Sequence, residues 1–188
     1  MKHYVIWLLL LWSLLPTSAA QANDQVLPKP MVLRQLVMLQ HPQPLPLIAL
    51  SDLQGNAHNF ADNHGRITVL SLWATWCTLC VRDLQHLQQL LPQLDAQKIS
   101  VVPLSIDEDL TLVPPFLQQH QLQFQQIWLD PQQQVADILP TDVVPATFLL
   151  NDNGELVGFV RGYVDWADAS VAPYLRQLAD QYVNLPQP

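Results

Sequence analysis

The chain has two cysteines, Cys77 and Cys80, which are separated by two residues and follow an apolar segment, Ile67 to Trp73. That segment is predicted to be a buried strand, and the leucine-rich sequence after the cysteines is predicted to be a helix. A thiol in the first turn of a helix lies near backbone N–H groups and the positive end of the helix dipole, which together stabilise its thiolate. Two cysteines at this spacing, between a strand and a helix, are therefore predicted to form a reversible dithiol/disulfide pair.

An inert structural disulfide is the alternative for the same two residues. Such bridges are common in small exported domains. A bridge between residues three positions apart closes almost no loop, however, so it removes little entropy from the unfolded chain. We therefore favour a redox role for Cys77 and Cys80.

Composition excludes several other classes of function. The 188 residues are 49% hydrophobic and 13% charged, which is typical of a folded domain with a large core and not of a disordered chain. The net charge of −8 and the lack of a lysine or arginine cluster argue against nucleic-acid binding. The six histidines show no metal-ligand spacing, so we expect neither a metal nor another cofactor. The C-x-x-C spacing also disfavours a copper chaperone with C-x-x-x-C or a peroxidase with a lone reactive cysteine.

The first residues are typical of a targeting segment. Lys2 and His3 precede an apolar stretch, Val5 to Leu15, and Ala20-Gln21-Ala22 fits a cleavage site. We predict a signal peptide over residues 1–22, a proline-rich extension over 23–46 and one domain over 47–185. The chain would then be exported to the periplasm. The alternative is a retained membrane anchor, although the apolar stretch is short for a span of about 20 residues.

The order of predicted elements indicates an α/β fold. Apolar strands alternate with helices, which predicts a mixed sheet covered by helices on both faces. Hairpins are expected around Asp52 to Asn56 and around Asn151 to Gly154. Pro92 is predicted to end the regular part of the helix after the cysteines. The last helix is predicted over residues 165–182, with Asp165 as its N-cap.

Four segments resemble the exported thioredoxin-like proteins of the TlpA/ResA/CcmG (DsbE) group. Trp73 to Cys80 resembles their W-A-T-W-C-x-x-C signature, and Val101 to Asp107 resembles their second core strand ending in Ser-x-Asp. Val144 to Leu150 resembles their cis-proline segment, and Asn151 to Gly154 resembles the turn that follows it. The resemblance implies a thioredoxin fold with an N-terminal β-hairpin extension. It also implies thiol–disulfide oxidoreductase activity.

The resemblance and the chemistry together assign roles to the residues near the cysteines. Cys77 is predicted to be the more exposed nucleophile, and Cys80 the buried thiol that resolves the mixed disulfide. Asp83 stands where the resembling reductases have an acidic residue, usually Glu, that handles protons at the thiols. Its alternative role is a solvated acid in the first helical turn. Ser71 stands where thioredoxin has a buried acid, so that proton acceptor is absent from the strand.

Three residues are predicted to contact the substrate. The resemblance makes Pro145 a cis-proline facing the cysteines. The peptide before it is then exposed, so Val144 can pair with an extended substrate as an added strand. Trp76 is expected to pack beside Cys77 and shape access to it, with a place in the core as the alternative. The chain departs from the family at Gln85, where relatives usually have proline. It also departs between the cysteines, where it has Thr78 and Leu79 and many relatives have proline.

The resulting prediction is a protein-disulfide reductase. Neither Thr78 nor Leu79 is charged, so neither strongly stabilises the Cys77 thiolate, which favours a reductant over a strong oxidant. The resemblance implies exported disulfide-containing substrates such as apocytochrome c, and a membrane electron donor of the DsbD type. A monomer is expected. A thiol oxidase or isomerase, or a binding module of the chaperone type, are the alternatives.

Overall fold

The computed structural model describes residues 27–183, so the predicted signal peptide lies outside the described residues. Within this part of the chain, eight strands form one mixed sheet in the order β1-β8-β7-β4-β5-β6-β2-β3. The strands are β1 (Val37–Gln43), β2 (Leu50–Asp52), β3 (Ala57–His58), β4 (Ile67–Trp73), β5 (Ile99–Ser105), β6 (Trp128–Leu129), β7 (Ala146–Leu150) and β8 (Leu156–Arg161). The helices are α1 (Thr78–Leu90), α2 (Val113–Gln119), α3 (Val135–Ile138) and α4 (Val171–Val183). The order of elements predicts such a mixed sheet, and the resemblance implies this thioredoxin-like arrangement of it.

The central strand β4 is buried along its whole length. It pairs parallel with β5 and antiparallel with β7, so it has neighbours on both sides. Its side chains alternate between two cores, one on each face of the sheet, as strand geometry requires. Val69 and Trp73 pack with α1, α2 and α4, whereas Leu70 and Leu72 pack on the face that α3 covers. Burial on both faces explains the unbroken apolar sequence of β4.

The N-terminal part of the described chain forms strands at both edges of the sheet. The proline-rich segment 23–46 contributes β1, which pairs antiparallel with β8. The predicted hairpin around Asp52 to Asn56 is formed by β2 and β3 and pairs with β6 at the opposite edge. The Asp52 carboxylate accepts hydrogen bonds from the backbone N–H groups of Gln54 and Asn56 inside this turn. The predicted hairpin around Asn151 to Gly154 joins β7 to β8.

Two helix ends test the sequence-based predictions. α1 ends at Leu90 and a single 3₁₀ turn over Leu91–Gln93 follows, as Pro92 predicts. The last helix begins at Val171 and not near residue 165, so the prediction of Asp165 as its N-cap is wrong. The segment between β8 and α4 instead packs against α1, as described below. No helix within residues 27–183 is long and apolar enough to cross a bilayer.

Candidate active site

A disulfide between Cys77 and Cys80 lies at the N-terminus of α1, immediately after the end of β4. Cys77 is the N-cap residue, and its sulfur accepts a hydrogen bond from the backbone N–H of Cys80 at 3.2 Å. Cys77 is 7% exposed and Cys80 is fully buried. The predicted order of exposure is therefore confirmed. The sulfur of Cys77 lies at the positive end of a 13-residue helix, where a thiolate is stabilised.

A buried carboxylate holds the loop that presents Cys77. Asp107 is 2% exposed, and its two oxygens each lie 3.0 Å from the backbone nitrogen of Thr75. The Thr75 hydroxyl donates to the same carboxylate at 2.7 Å, and the Ser105 hydroxyl donates to it at 2.8 Å. Asp107 thus ties the loop after β5 to the loop after β4, two residues before Cys77. The Ser105-x-Asp107 motif is visible in the sequence, but its role in the site is seen only in the structure.

Asp83 lies one helical turn beyond Cys80 and is 1% exposed. Its carboxylate oxygen Oδ1 accepts hydrogen bonds from the Val164 backbone N–H and the Trp166 indole N–H, both at 3.1 Å. Burial raises the pKa of Asp83 to about 7, although these hydrogen bonds oppose the rise. The alternative of a solvated first-turn acid is therefore wrong. A carboxyl group with a pKa near neutrality can exchange protons at physiological pH.

Ser71 of β4, where the sequence has no acid, lies in contact with Asp83 of α1. Its hydroxyl lies 3.5 Å from Asp83 Oδ2, and both side chains are buried. The structure thus places the Asp83 carboxylate of α1 against Ser71 of β4. The sequence shows that position 71 has no acid. It does not predict the contact between Ser71 and Asp83, because that contact joins two different elements.

A second group of polar side chains lies on the outer side of the same helix turn. His86 Nδ1 is 2.6 Å from Asp165 Oδ1 and 3.1 Å from the Tyr163 hydroxyl. The Arg82 guanidinium lies over the Tyr163 ring, 4.9 Å from its centre. Together with Asp83, these contacts fix the segment 162–166 against α1. This explains why Asp165 does not cap α4.

The peptide bond between Val144 and Pro145 is cis, as the resemblance implied. Ala146 pairs with Leu72, so Pro145 lies beside the carboxyl end of β4, from which the chain continues to Cys77. The Pro145 carbonyl accepts a hydrogen bond from the Gly162 N–H at 2.8 Å. Val144 is half-buried and packs against the core cluster that contains both cysteines.

Three large apolar side chains near this site are exposed to solvent. Trp76 is 69% exposed, Leu79 is 58% exposed and Val143 is 46% exposed. Trp76 and Leu79 flank Cys77 in the chain, and Val143 precedes the Val144–Pro145 segment. The alternative of Trp76 as a core aromatic is therefore wrong. Exposed apolar groups grouped in this way mark surfaces that contact other molecules.

The geometry supports one kind of chemistry. Two cysteines that already form a disulfide lie at a helix N-terminus, beside a buried carboxyl group that titrates near neutrality. The exposed apolar side chains of Trp76 and Leu79 flank Cys77, the less buried of the two cysteines, in the chain. Thiol–disulfide exchange requires these parts: an attacking thiolate, a resolving thiol and a group that takes up a proton.

Comparisons with known proteins agree with this chemistry. The model of the AhpC/TSA family matches residues 42–158. The thiol–disulfide oxidoreductase ResA of Geobacillus kaustophilus is 31% identical over 117 residues, which are 62% of this chain and 67% of that protein. ResA of Bacillus subtilis is 27% identical over 117 residues, which are 62% of this chain and 65% of that protein.

Solved structures show the same fold. A putative thiol:disulfide interchange protein DsbE from Chlorobium tepidum superposes with a TM-score of 0.61 at 22% identity, covering 78% of this chain and 99% of that one. StoA from Bacillus subtilis superposes with a TM-score of 0.55 at 20% identity, covering 74% of this chain and 98% of that one. At these identities the likeness supports the fold alone.

Proposed function

Because this chain belongs to the AhpC/TSA family and is a thiol–disulfide oxidoreductase of the ResA/DsbE type, we propose that it reduces disulfides of exported proteins. The reaction takes place in the periplasm, after export by a signal peptide over residues 1–22, and uses Cys77 and Cys80. The observation that carries this proposal is the Cys77–Cys80 disulfide, in which Cys77 caps α1 and Cys80 lies one turn before the buried Asp83.

The reaction begins from the dithiol. The Cys77 thiolate attacks one sulfur of the substrate disulfide, forming a mixed disulfide and releasing the other substrate sulfur as a thiolate. Cys80 then attacks the Cys77 sulfur, which releases the second substrate thiolate. The substrate gains two electrons, and the protein is left with the Cys77–Cys80 disulfide that the structure contains.

Asp83 takes up the proton that Cys80 loses in the second step. Residues three positions apart on a helix are neighbours, so the Asp83 carboxylate lies on the same side of α1 as Cys80. Both side chains are buried away from bulk water. A pKa of about 7 leaves Asp83 partly ionised at neutral pH, so it can accept this proton and return it in the next cycle.

The substrate is held at the exposed face of the site. Val144 presents backbone groups beside the cis-proline, Pro145, and an extended substrate segment pairs with them as an added strand. Trp76 provides an apolar contact next to the attacked sulfur. The substrate class is therefore an unfolded or extended segment with a disulfide, such as an apocytochrome c.

The pair acts as a reductant because no charged residue stands between the cysteines. Thr78 and Leu79 leave the helix dipole as the main stabilisation of the Cys77 thiolate, and strong oxidants need more than that. A membrane electron donor of the DsbD type returns the disulfide to the dithiol after each cycle. The protein acts as a monomer.

Trapping the mixed disulfide tests this proposal. The Cys80→Ser variant is expressed with its own N-terminal segment, and covalent complexes are isolated from the periplasm and identified by mass spectrometry. We expect complexes through Cys77 with exported cysteine-containing proteins, and none with the matched Cys77→Ser variant. If Cys80→Ser traps no partner and the wild type does not reduce a model disulfide, the protein is a binding module instead.

A further inference from the structure

The Asp83 carboxylate is held by a residue far away in the sequence. Trp166 lies between β8 and α4, is 1% exposed and donates its indole N–H to Asp83 Oδ1 at 3.1 Å. The Val164 backbone N–H donates to the same oxygen at 3.1 Å. A buried indole N–H usually has a hydrogen-bond partner, and here that partner is an acid.

The two oxygens of this carboxylate have different surroundings. Oδ1 faces two N–H donors, which cannot accept a proton in return. Among the residues that the structure describes, Oδ2 has one polar partner, the Ser71 hydroxyl at 3.5 Å. A hydroxyl can donate or accept. A proton that binds Asp83 therefore goes to Oδ2, while Oδ1 stays fixed by Trp166 and Val164.

We propose that Trp166 is a positioning residue for thiol–disulfide exchange, whose indole N–H fixes Asp83 Oδ1 and thereby directs Oδ2 to proton exchange with the buried thiol. The inference rests on the proposed function, since it refines how Asp83 serves Cys80. A phenyl ring in place of the indole fills much of the same space but donates no hydrogen bond.

The segment that contains Trp166 is also held on its outer side. His86 contacts both Tyr163 and Asp165, and Arg82 lies over the Tyr163 ring. Within residues 27–183, these four are the titratable side chains, besides Cys80 and Asp83, of segment 162–166 and of the adjoining turns of α1, and β4 contributes the uncharged Ser71. The pKa of Asp83 is set by its burial and by the hydrogen bonds from Val164, Trp166 and Ser71. Removing the Trp166 hydrogen bond therefore acts on Asp83 directly.

The test is a titration of the Asp83 carboxyl group in the disulfide form, in which neither cysteine titrates. Its protonation is followed by the infrared carbonyl band that Asp83→Asn removes. We expect Trp166→Phe to raise the midpoint by about one pH unit, because the ionised form loses a charge-assisted hydrogen bond. His86→Gln changes a neighbour on α1 that makes no hydrogen bond to Asp83 Oδ1, so it should leave the Asp83 midpoint in place.

Trp128→Phe is the matched control. Trp128 is also fully buried, but its indole N–H has no hydrogen-bond partner within residues 27–183, and it packs in the core on the other face of the sheet. We expect this variant to leave the Asp83 midpoint unchanged. An unchanged midpoint in Trp166→Phe, or an equal rise in Trp128→Phe, overturns the inference.

A second measurement leaves Trp166 itself unchanged. In the wild type, the assigned indole N–H resonance of Trp166 should move with pH at the midpoint of the Asp83 titration, and it should not titrate in Asp83→Asn. An indole resonance that ignores the Asp83 titration overturns the inference. The rate of disulfide reduction, measured against pH in the wild type and in Trp166→Phe, separates the two proposals. If Trp166→Phe shifts the midpoint of the Asp83 carboxyl group but not the pH profile of the rate, the catalytic role of Asp83 is contradicted, whereas its positioning by Trp166 is not.

Discussion

Replacing Asp83 with asparagine is expected to stabilise the disulfide form of the protein at pH 8. The wild type must then hold an ionised carboxylate at a position that is 1% exposed. Asparagine has nearly the same shape and keeps an oxygen for the N–H groups of Val164 and Trp166. It carries no charge, so the desolvation of a buried anion no longer opposes folding.

The size of the effect follows from the pKa of Asp83. The pKa lies at about 7 in the folded protein against 3.8 for an ordinary aspartate. Below about pH 4 the carboxyl group is protonated in both the folded and the unfolded chain. Between about pH 4 and pH 7 the unfolded chain loses its proton while the folded chain keeps it, so the free energy of unfolding falls as pH rises. At about 1.36 kcal/mol per pH unit, the total fall is about 4 kcal/mol, and it is complete above pH 7.

Urea unfolding of the disulfide form at a series of pH values from 4.5 to 8.5 measures this effect. The difference in the free energy of unfolding between Asp83→Asn and wild type should grow by several kcal/mol across this range and level off above about pH 7. Asp142→Asn is the matched control, because Asp142 is exposed, and it should follow the wild-type curve. A constant difference between Asp83→Asn and wild type would refute the assignment of a raised pKa to Asp83.

Three further substitutions test other parts of the structure. Asp107→Ala should lower the free energy of unfolding, measured by chemical denaturation, by about 2–4 kcal/mol, because it leaves the Thr75 N–H without its buried acceptor. Asp107→Asn should lower it less, because the amide oxygen can still accept from this N–H. Trp76→Ala should leave stability within about 0.5 kcal/mol of wild type, because the side chain is exposed, but should slow reduction of a protein disulfide and not of oxidised glutathione. Gly154→Ala should lower the free energy of unfolding by more than about 2 kcal/mol, because its φ is +79° and a Cβ would lie 2.6 Å from the Phe60 backbone.

Each of these substitutions has an outcome that contradicts its reasoning. Equal losses for Asp107→Ala and Asp107→Asn would mean that the hydrogen bonds to Thr75 do not matter. Equal slowing of both substrates by Trp76→Ala would point to the thiol chemistry and not to substrate contact. Gly55→Ala is the control for Gly154→Ala, because Gly55 also has a positive φ but open space around it, and it should cost about 1 kcal/mol. A similar loss at both glycines would exclude the backbone contact as the cause.

The sequence predicts those parts of the fold that depend on local patterns. The apolar segment Ile67–Trp73 becomes β4 because a strand buried on both faces needs apolar side chains at every position. Pro92 ends α1 because proline cannot donate the helical hydrogen bond. The two hairpin turns depend on Asp, Asn and Gly residues, which favour turns through their own backbone and side-chain geometry wherever they occur.

The parts that the sequence does not predict depend on contacts between distant residues. Asp165 precedes a helical pattern and is a reasonable N-cap, but His86 binds its side chain and α4 begins later. The burial of Asp83 depends on Val164 and Trp166, which are about eighty residues away in the chain. The place of Asp107 in the site is predictable from its motif. A carboxylate that follows a buried strand lies at the same end of the sheet as the cysteines, which follow the parallel neighbouring strand.

The central claim is that Cys77 and Cys80 are a reversible redox pair that acts as a reductant. The most direct test is the equilibrium between its disulfide and its dithiol in glutathione buffers at pH 7. We predict one reversible two-electron transition with a reduction potential more negative than about −200 mV. A pair that does not exchange with glutathione, or a potential near the value of about −120 mV that is typical of a strong oxidant, would contradict the account.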